Sequence, residues 1–269
     1  MTDVHGQRVV ITGAGRGIGA ALAERFAAEG ALVGVNDRHP DRAAEVAARV
    51  GGVPVPGDAA ALPLDEARRA LGGDIDVYCA NAGVVHDGGP ELPDEQWQAA
   101  WDHNVLAHVR AARQLLPGWL ARGRGRFVST VSAAGLLTMV GAAPYAVSKH
   151  AALAFAEWLA VTYRHRGVRV HAICPRGVLT PLHQALGNAT AVPLTSTAIG
   201  PEQVADSLFA GMAEDRFLIL PHPEVADHAR ARLADHDRWL TDINALRRRG
   251  TEEETGSSTD PVTNHDASR

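Results

Sequence analysis

The chain is 269 residues long, enough for one large domain with a substantial core, and its net charge of -5 offers no basic footprint for a nucleic acid. No apolar run approaches the roughly 18 residues of a membrane span, and the two cysteines, Cys79 and Cys174, lie inside apolar runs as small buried residues rather than as a disulfide pair. The N-terminal stretch "MTDVHGQ" lacks the charged-then-apolar pattern of a signal peptide, so a cytoplasmic enzyme or binding protein is expected, with neither a nucleic-acid nor a membrane partner.

Short runs rich in valine and isoleucine recur along the chain: "RVVIT" (8–12), "ALVGVN" (31–36), "VPVPG" (53–57), "DVYCA" (76–80), "RFVSTV" (126–131), "VRVHAIC" (168–174) and "FLILP" (217–221). Apolar residues at consecutive positions suit strands covered on both faces, as in parallel sheets. Between them, alanine-rich stretches with helical spacing predict helices over 17–29, 41–50, 64–71, 94–116, 143–166 and 201–214. This alternation predicts a doubly wound α/β sheet. Ligands of such sheets lie beyond the carboxyl ends of the strands, so the chemistry is sought just after each run.

After the first run comes "TGAGRGIGAALAERFAAEG", with glycines at 13, 15, 17 and 19 opening an amphipathic helix. Glycines let the backbone turn tightly and approach a ligand, and the helix start offers N–H groups and a positive dipole end to a pyrophosphate. A bare strand-to-helix turn would produce the same pattern. The second run ends in "VNDR", with Asp37 eighteen residues after Gly19. A carboxylate there accepts from adenosine ribose hydroxyls and repels a 2′-phosphate, which favours NAD over NADP. Arg16 and Arg38 pull the other way, since either pairs readily with a phosphate. In "GDAA" after the third run, Asp58 suits an adenine amino group or the capping of its own loop. Without a Gly-Lys-Ser/Thr sequence, a P-loop is disfavoured.

Ser132 follows the fifth run in "VSTVSAAG", thirteen residues before Tyr145; it suits donation to a substrate oxygen or the capping of a turn. In "PYAVSKH", Tyr145 and Lys149 are four apart on a predicted helix and so share one face. Lys149 is the only lysine in the chain, against 25 arginines. A phenol near pKa 10 needs roughly 4 kcal/mol of preferential anion stabilisation to exchange protons near neutrality, which a neighbouring ammonium in a water-poor cleft supplies. Lysine is a compact charge with rotatable donors and arginine a wide fork, a physical reason to retain lysine here. His86, His183 and His222 fall in loops near the expected cleft without metal-ligand spacing, so no metal is expected; His86 or His183 is a candidate for touching the substrate.

Residues 181–200 carry prolines and a weak helical pattern, a connection that either covers a pocket or is plain surface. The first 222 residues read as one domain, 223–250 as a helical extension packed on it or on a partner subunit, and 251–269 as a disordered tail. Leu182, Leu186, Val192, Leu194 and "GLLTMV" suggest a hydrophobic substrate, although core packing accounts for several of them equally well.

These motifs together resemble the short-chain dehydrogenase/reductase family. "TGAGRGIG" resembles its Thr-Gly-x-x-x-Gly-x-Gly turn, "NAG" at 81–83 its fourth-strand motif, "HNV" its helix asparagine at Asn104, and Ser132, Tyr145 and Lys149 its Ser-Tyr-x-x-x-Lys constellation, over about residues 6–220. The resemblance implies a Rossmann-type, seven-stranded, mostly parallel sheet with helices on both faces. It implies an NAD(P)-dependent alcohol dehydrogenase or ketone reductase working as a homodimer or homotetramer through the helices at 94–116 and 143–166. Tyr145 would be the acid/base, Lys149 would bind the nicotinamide ribose and depress the tyrosine, Ser132 would polarise the carbonyl, and Asn104 would serve a water relay. Thr12, Gly13, Gly17, Ile18 and Gly19 would line the pyrophosphate, with Arg16 and Arg38 beside them. Asp37 would take the ribose, Asp58 and Ala59 the adenine, Asn81 and Gly83 the neighbouring ribose side, and Pro175, Gly177, Val178 and Thr180 the nicotinamide. "PRGVLT" departs from the family at Arg176, where glycine is usual; that side chain either reaches the pocket entrance or bends into solvent, and solvent is the expectation. A redox sensor without turnover would share the cofactor residues but has no use for the Ser132, Tyr145 and Lys149 set.

Overall fold

The computed structural model describes residues 4–184 and 198–256, the side chains of 250–256 excepted. Leu186, Val192, Leu194, most of the 181–200 connection and residues 257–269 lie outside the described residues.

Seven strands form one sheet in the order β3-β2-β1-β4-β5-β6-β7. They are β1 (Arg8–Ile11), β2 (Leu32–Val35), β3 (Val53–Pro54), β4 (Val77–Ala80), β5 (Gly125–Thr130), β6 (Val168–Ile173) and β7 (Leu218–Ile219). Every pairing is parallel, where mostly parallel was expected. All four residues of β4 are buried, as a strand covered on both faces requires. One face is covered by α1 (Gly17–Ala28), α2 (Pro40–Val50) and α8 (Pro201–Ala213), with Phe26, Leu22 and Leu208 in its core. The other is covered by α3 (Leu64–Ala70), α5 (Ala107–Arg122) and α6 (Ala143–Tyr163), packed through Leu64, Trp119 and Leu159. Buried Trp119 donates its indole N–H to the Ile75 carbonyl at 2.7 Å, so its one polar atom is satisfied.

The helix expected over 94–116 is two. α4 (Asp94–Trp101) ends in a π-helical turn over Asp102–Leu106, and α5 continues beyond the expected end, through Pro117, to Arg122. Such turns widen a helix by one residue and often accompany functional sites; this one holds Asn104. The short α7 (Pro181–Gln184) follows β6. The C-terminal stretch forms α9 (Glu224–Ala234) and α10 (His236–Gly256), so helix replaces the expected tail over 251–256. Among the described residues, no helix is long and apolar enough to cross a membrane.

Candidate active site

The turn from β1 into α1 is shaped by backbone proximity. Gly17 has φ +56°, and a Cβ on it would stand 3.1 Å from the Thr180 side chain; a Cβ on Gly19 would stand 2.6 Å from Asn81 Nδ2 and closer still to the Gly13 carbonyl. Arg16, exposed, precedes α1 without a side-chain cap, so the first-turn N–H groups remain open. A pyrophosphate fits that open helix start. Ile18 is half-buried against the core.

Thr12 and Asn81, expected to face the ligand, are staples between the ends of β1 and β4. The Thr12 hydroxyl donates to Cys79 O at 3.2 Å and accepts from Asn81 N and Ala82 N at 2.9 and 3.0 Å, while Asn81 Nδ2 donates to Thr12 O at 2.9 Å. Asp37 is buried beside the turn, accepting from Gly15 N at 3.2 Å and from His39 N at 2.9 Å. Each carboxylate oxygen retains a further lone pair, which suits a pair of ribose hydroxyls. Arg38 is exposed, its Nε directed at His39 Nε2 at 3.3 Å. Asp58 takes the capping role, accepting from Ala60 N at 2.9 Å in the short 3-10 turn begun by Ala59. Its carboxylate also lies 3.3 Å from His103 Nε2.

At the carboxyl ends of β4 to β6 the sequence-distant candidates meet. Ser132 has φ 149°, a backbone region that costs about 1–3 kcal/mol for a residue other than glycine. The surrounding bonds hold it there: its N–H donates to the Cys174 thiol, its hydroxyl accepts from Ala134 N at 3.1 Å, and Ala133 N donates to Pro175 O at 2.7 Å. Its side chain also meets the Tyr145 hydroxyl. Tyr145 is 9% exposed, and burial pushes its phenol above the ordinary tyrosine value while the Ser132 bond pulls it back.

Lys149 is 3% exposed, with Nζ 5.5 Å from the Tyr145 ring centroid and donating to Thr130 O at 2.9 Å. Burial lowers it from 10.5 to about 8. The ammonium faces a backbone carbonyl, and burial is the largest influence on the phenol beside it. Asn104 is fully buried: Nδ2 donates to Val84 O at 3.0 Å and Ser148 Oγ at 2.9 Å, and Oδ1 accepts from Val84 N at 2.9 Å. Its side chain ties the loop after β4 to α6. A Cβ on Gly83 would stand 2.9 Å from Asn104 Oδ1 and 3.4 Å from Lys149 Nζ, so glycine keeps that space open.

Pro175, Gly177, Val178 and Thr180 follow β6. Gly177 O accepts from Ile199 N at 3.1 Å, and Val178 bridges to Ile199 in the same segment. The Thr180 hydroxyl donates to Val178 O at 3.2 Å and accepts from His183 N at 3.3 Å. Arg176 corrects the sequence expectation. It does not bend into solvent: its side chain is 11% exposed and pairs with Glu224 at 3.1 Å.

Two further residues reach this centre unannounced by any motif. Cys174, fully buried, receives the Ser132 N–H and is pushed up to about 12 by burial. His108, one turn after Asn104 and 1% exposed, contacts Ser129 Oγ at 3.2 Å through Nδ1. Burial, reinforced by the Lys149 charge, holds it down at about 3, and burial lowers His171 to about 4. Below pH 6.5 the unfolded chain takes up protons that these folded imidazoles refuse, so stability falls with pH through the window from 6.5 to 4. Unfolding by urea is expected to show roughly 4 kcal/mol less stability at pH 5 than at pH 7. Equal midpoints at the two pH values would contradict the neutral buried assignment.

Residues 7–191 match the family model described as short chain dehydrogenase. The 1-deoxy-11-beta-hydroxypentalenate dehydrogenase of Streptomyces exfoliatus is 38% identical over 247 residues, 86% of this chain and 87% of that one. A short chain dehydrogenase/reductase of Burkholderia phymatum, solved in complex with NAD, superposes with TM-score 0.79 at 27% identity, covering 88% of this chain and 96% of that one. A Sphingobium yanoikuyae short-chain dehydrogenase in complex with NADPH shares the fold at TM-score 0.73 and 24% identity, over 98% and 99% of the two chains. With its seven parallel strands, open turn before α1 and Ser132, Tyr145 and Lys149 gathered at the carboxyl end of the sheet, the chain belongs to the short chain dehydrogenase family of nicotinamide-dependent oxidoreductases.

Proposed function

We propose that this protein is an NAD-dependent oxidoreductase that moves hydride between the nicotinamide and the carbon of a secondary alcohol or ketone, with Tyr145 as the acid/base. The observation that carries this reading is the meeting of Ser132, Tyr145 and Lys149 at the carboxyl end of the sheet, with the Lys149 ammonium 5.5 Å from the Tyr145 ring centroid. Nicotinamide, when bound, supplies or accepts the hydride. The chain manages the proton: protonated Tyr145 gives it to a ketone oxygen or, as phenolate, takes it from an alcohol. Ser132 orients and polarises that oxygen. Lys149 provides positive charge behind the phenol, and Asn104 joins a water relay to solvent from its widened turn. The helix start at Gly17 to Gly19, with Gly13, would take the pyrophosphate, and the segment from Pro175 to Thr180 the nicotinamide.

Asp37 supports NAD over NADP, because a buried carboxylate beside the turn repels a 2′-phosphate. The exposed Arg16 and Arg38 favour a second reading as an NADP-dependent ketone reductase. With one substrate, kcat/KM is expected to be at least about tenfold higher with NAD; a higher value with NADP would overturn the assignment to Asp37.

A mainly hydrophobic substrate is supported by Val85 and Met139, partly buried beside Tyr145. The Streptomyces relative is by name a dehydrogenase of a hydroxylated acid. A panel of secondary alcohols, followed by absorbance of reduced nicotinamide, tests the activity; no turnover on any member would leave the non-catalytic sensor. Pairing of subunits is supported by Trp101, Val147, Trp158 and Val161, large apolar side chains exposed on α4 and α6. The two buried free thiols support a reducing, cytoplasmic setting.

A further inference from the structure

The position of Arg176 and the attachment of the C-terminal helices have one answer in the contacts of α9. At its start Val225 is fully buried in the domain. Glu224 accepts from the Arg176 guanidinium at 3.1 Å, and the Arg176 N–H donates to Nδ1 of buried His222 at 3.2 Å. One end of α9 is thereby bolted to the loop after β6. At the other end, Arg232 donates to the Leu136 carbonyl, within the segment that follows Ser132, and Nη1 lies 3.3 Å from Nε2 of His150, the neighbour of Lys149.

The histidine geometry is self-consistent. Nδ1 of His150 is 2.9 Å from Ala146 O, which places the proton on Nδ1 and leaves Nε2 to accept from Arg232. Arg232 also stacks over Trp239 of α10 at 5.2 Å, passing the hold to the second helix. α10 then brings Arg247 to a hollow of about 400 Å³ shared with Gly88, Pro90, Met139 and Val147, beside the loops after β4 and β5.

We infer that α9 is a strap that holds the loop after β6, the segment after Ser132 and α6 in one register, with Arg232 as the positioning residue for Ser132 and Lys149. The C-terminal extension is then a wall of its own domain's cleft rather than an arm for a partner subunit. Arg176 replaces the family's usual glycine because its guanidinium is one end of that hold.

The effect on turnover rests on the proposed reaction, but the strap itself does not, and hydrogen exchange separates the two. The amides of Ala133, Gly135, Leu136 and Leu137 are hydrogen bonded, so their exchange reports opening of the segment. In the full-length chain, Arg232→Gln is expected to speed exchange over 133–137 by about tenfold, with Arg232→Lys restoring most of the protection. Trp239→Leu, which removes the stacking partner and leaves both polar bonds, gives the same change more weakly. On an alcohol substrate, Arg232→Gln lowers kcat by about tenfold while the Kd for NAD stays within about twofold. Unchanged exchange over 133–137 in Arg232→Gln and Trp239→Leu overturns the strap, whatever the activity. Faster exchange with kcat unmoved overturns the positioning role, and an equal loss of NAD binding assigns Arg232 to general stability instead.

Discussion

Replacing Tyr145 with phenylalanine is expected to lower kcat by on the order of 10³-fold, the scale of a lost general acid/base, while NAD binding is retained. The ring remains, filling the same buried site against Ala134, Ala142, Val85 and Met139, so the fold has no reason to change. What disappears is the hydroxyl that the Ser132 side chain meets. Loss of that polar contact costs about 1 kcal/mol of stability, a small fall in Tm beside the loss of turnover. Equilibrium binding of NAD and steady-state rates on the same preparation make the check, and a Tyr145→Phe variant of normal kcat would remove Tyr145 from the proposed chemistry. Because burial raises the phenol above its ordinary value, Tyr145 is a proton donor near neutrality, the form that ketone reduction requires.

Lys149→Arg is expected to be nearly as damaging, lowering kcat/KM by about 10²-fold although the charge is kept. The ammonium occupies a site 3% exposed, with one donor on Thr130 O and Gly83 close enough that a Cβ there would lie 3.4 Å away. A planar guanidinium brings five donors into that space and would leave several unsatisfied. A rate within about threefold of the original would show that charge alone suffices. Since the chain has one lysine, isotope methylation labels this side chain and the N-terminus only, and its titration can be followed directly. The value expected is about 8, below the ordinary 10.5 because burial disfavours the charged form. Where the ammonium is needed, kcat/KM for ketone reduction falls as pH rises through that value.

The course of the chain was legible where a signal is local. Strands buried on both faces announce themselves as unbroken apolar runs, and the order of runs and alanine-rich segments sufficed for the parallel doubly wound sheet. The helix break at Asp102–Leu106 was not legible. It lies inside an unbroken helical pattern, and a π turn costs little when packing against α6 accommodates it. Cys174 and His108 likewise had only weak signals, a cysteine ending a strand and a histidine one turn after Asn104.

The sequence by itself determined which groups are available for chemistry: the glycine turn, Asp37, Ser132, Tyr145 and the single lysine, each marked by spacing within one strand, turn or helix. Only the tertiary structure decided what those groups touch. Thr12 and Asn81 became staples, Asp58 a cap, Lys149 a donor to Thr130 O, and Arg176 the partner of Glu224, 48 residues away. The physical reason is that spacing along a helix or strand dictates which side chains share a face. Hydrogen-bond partners and charge states are chosen by desolvation and by groups that only folding brings within about 3 Å.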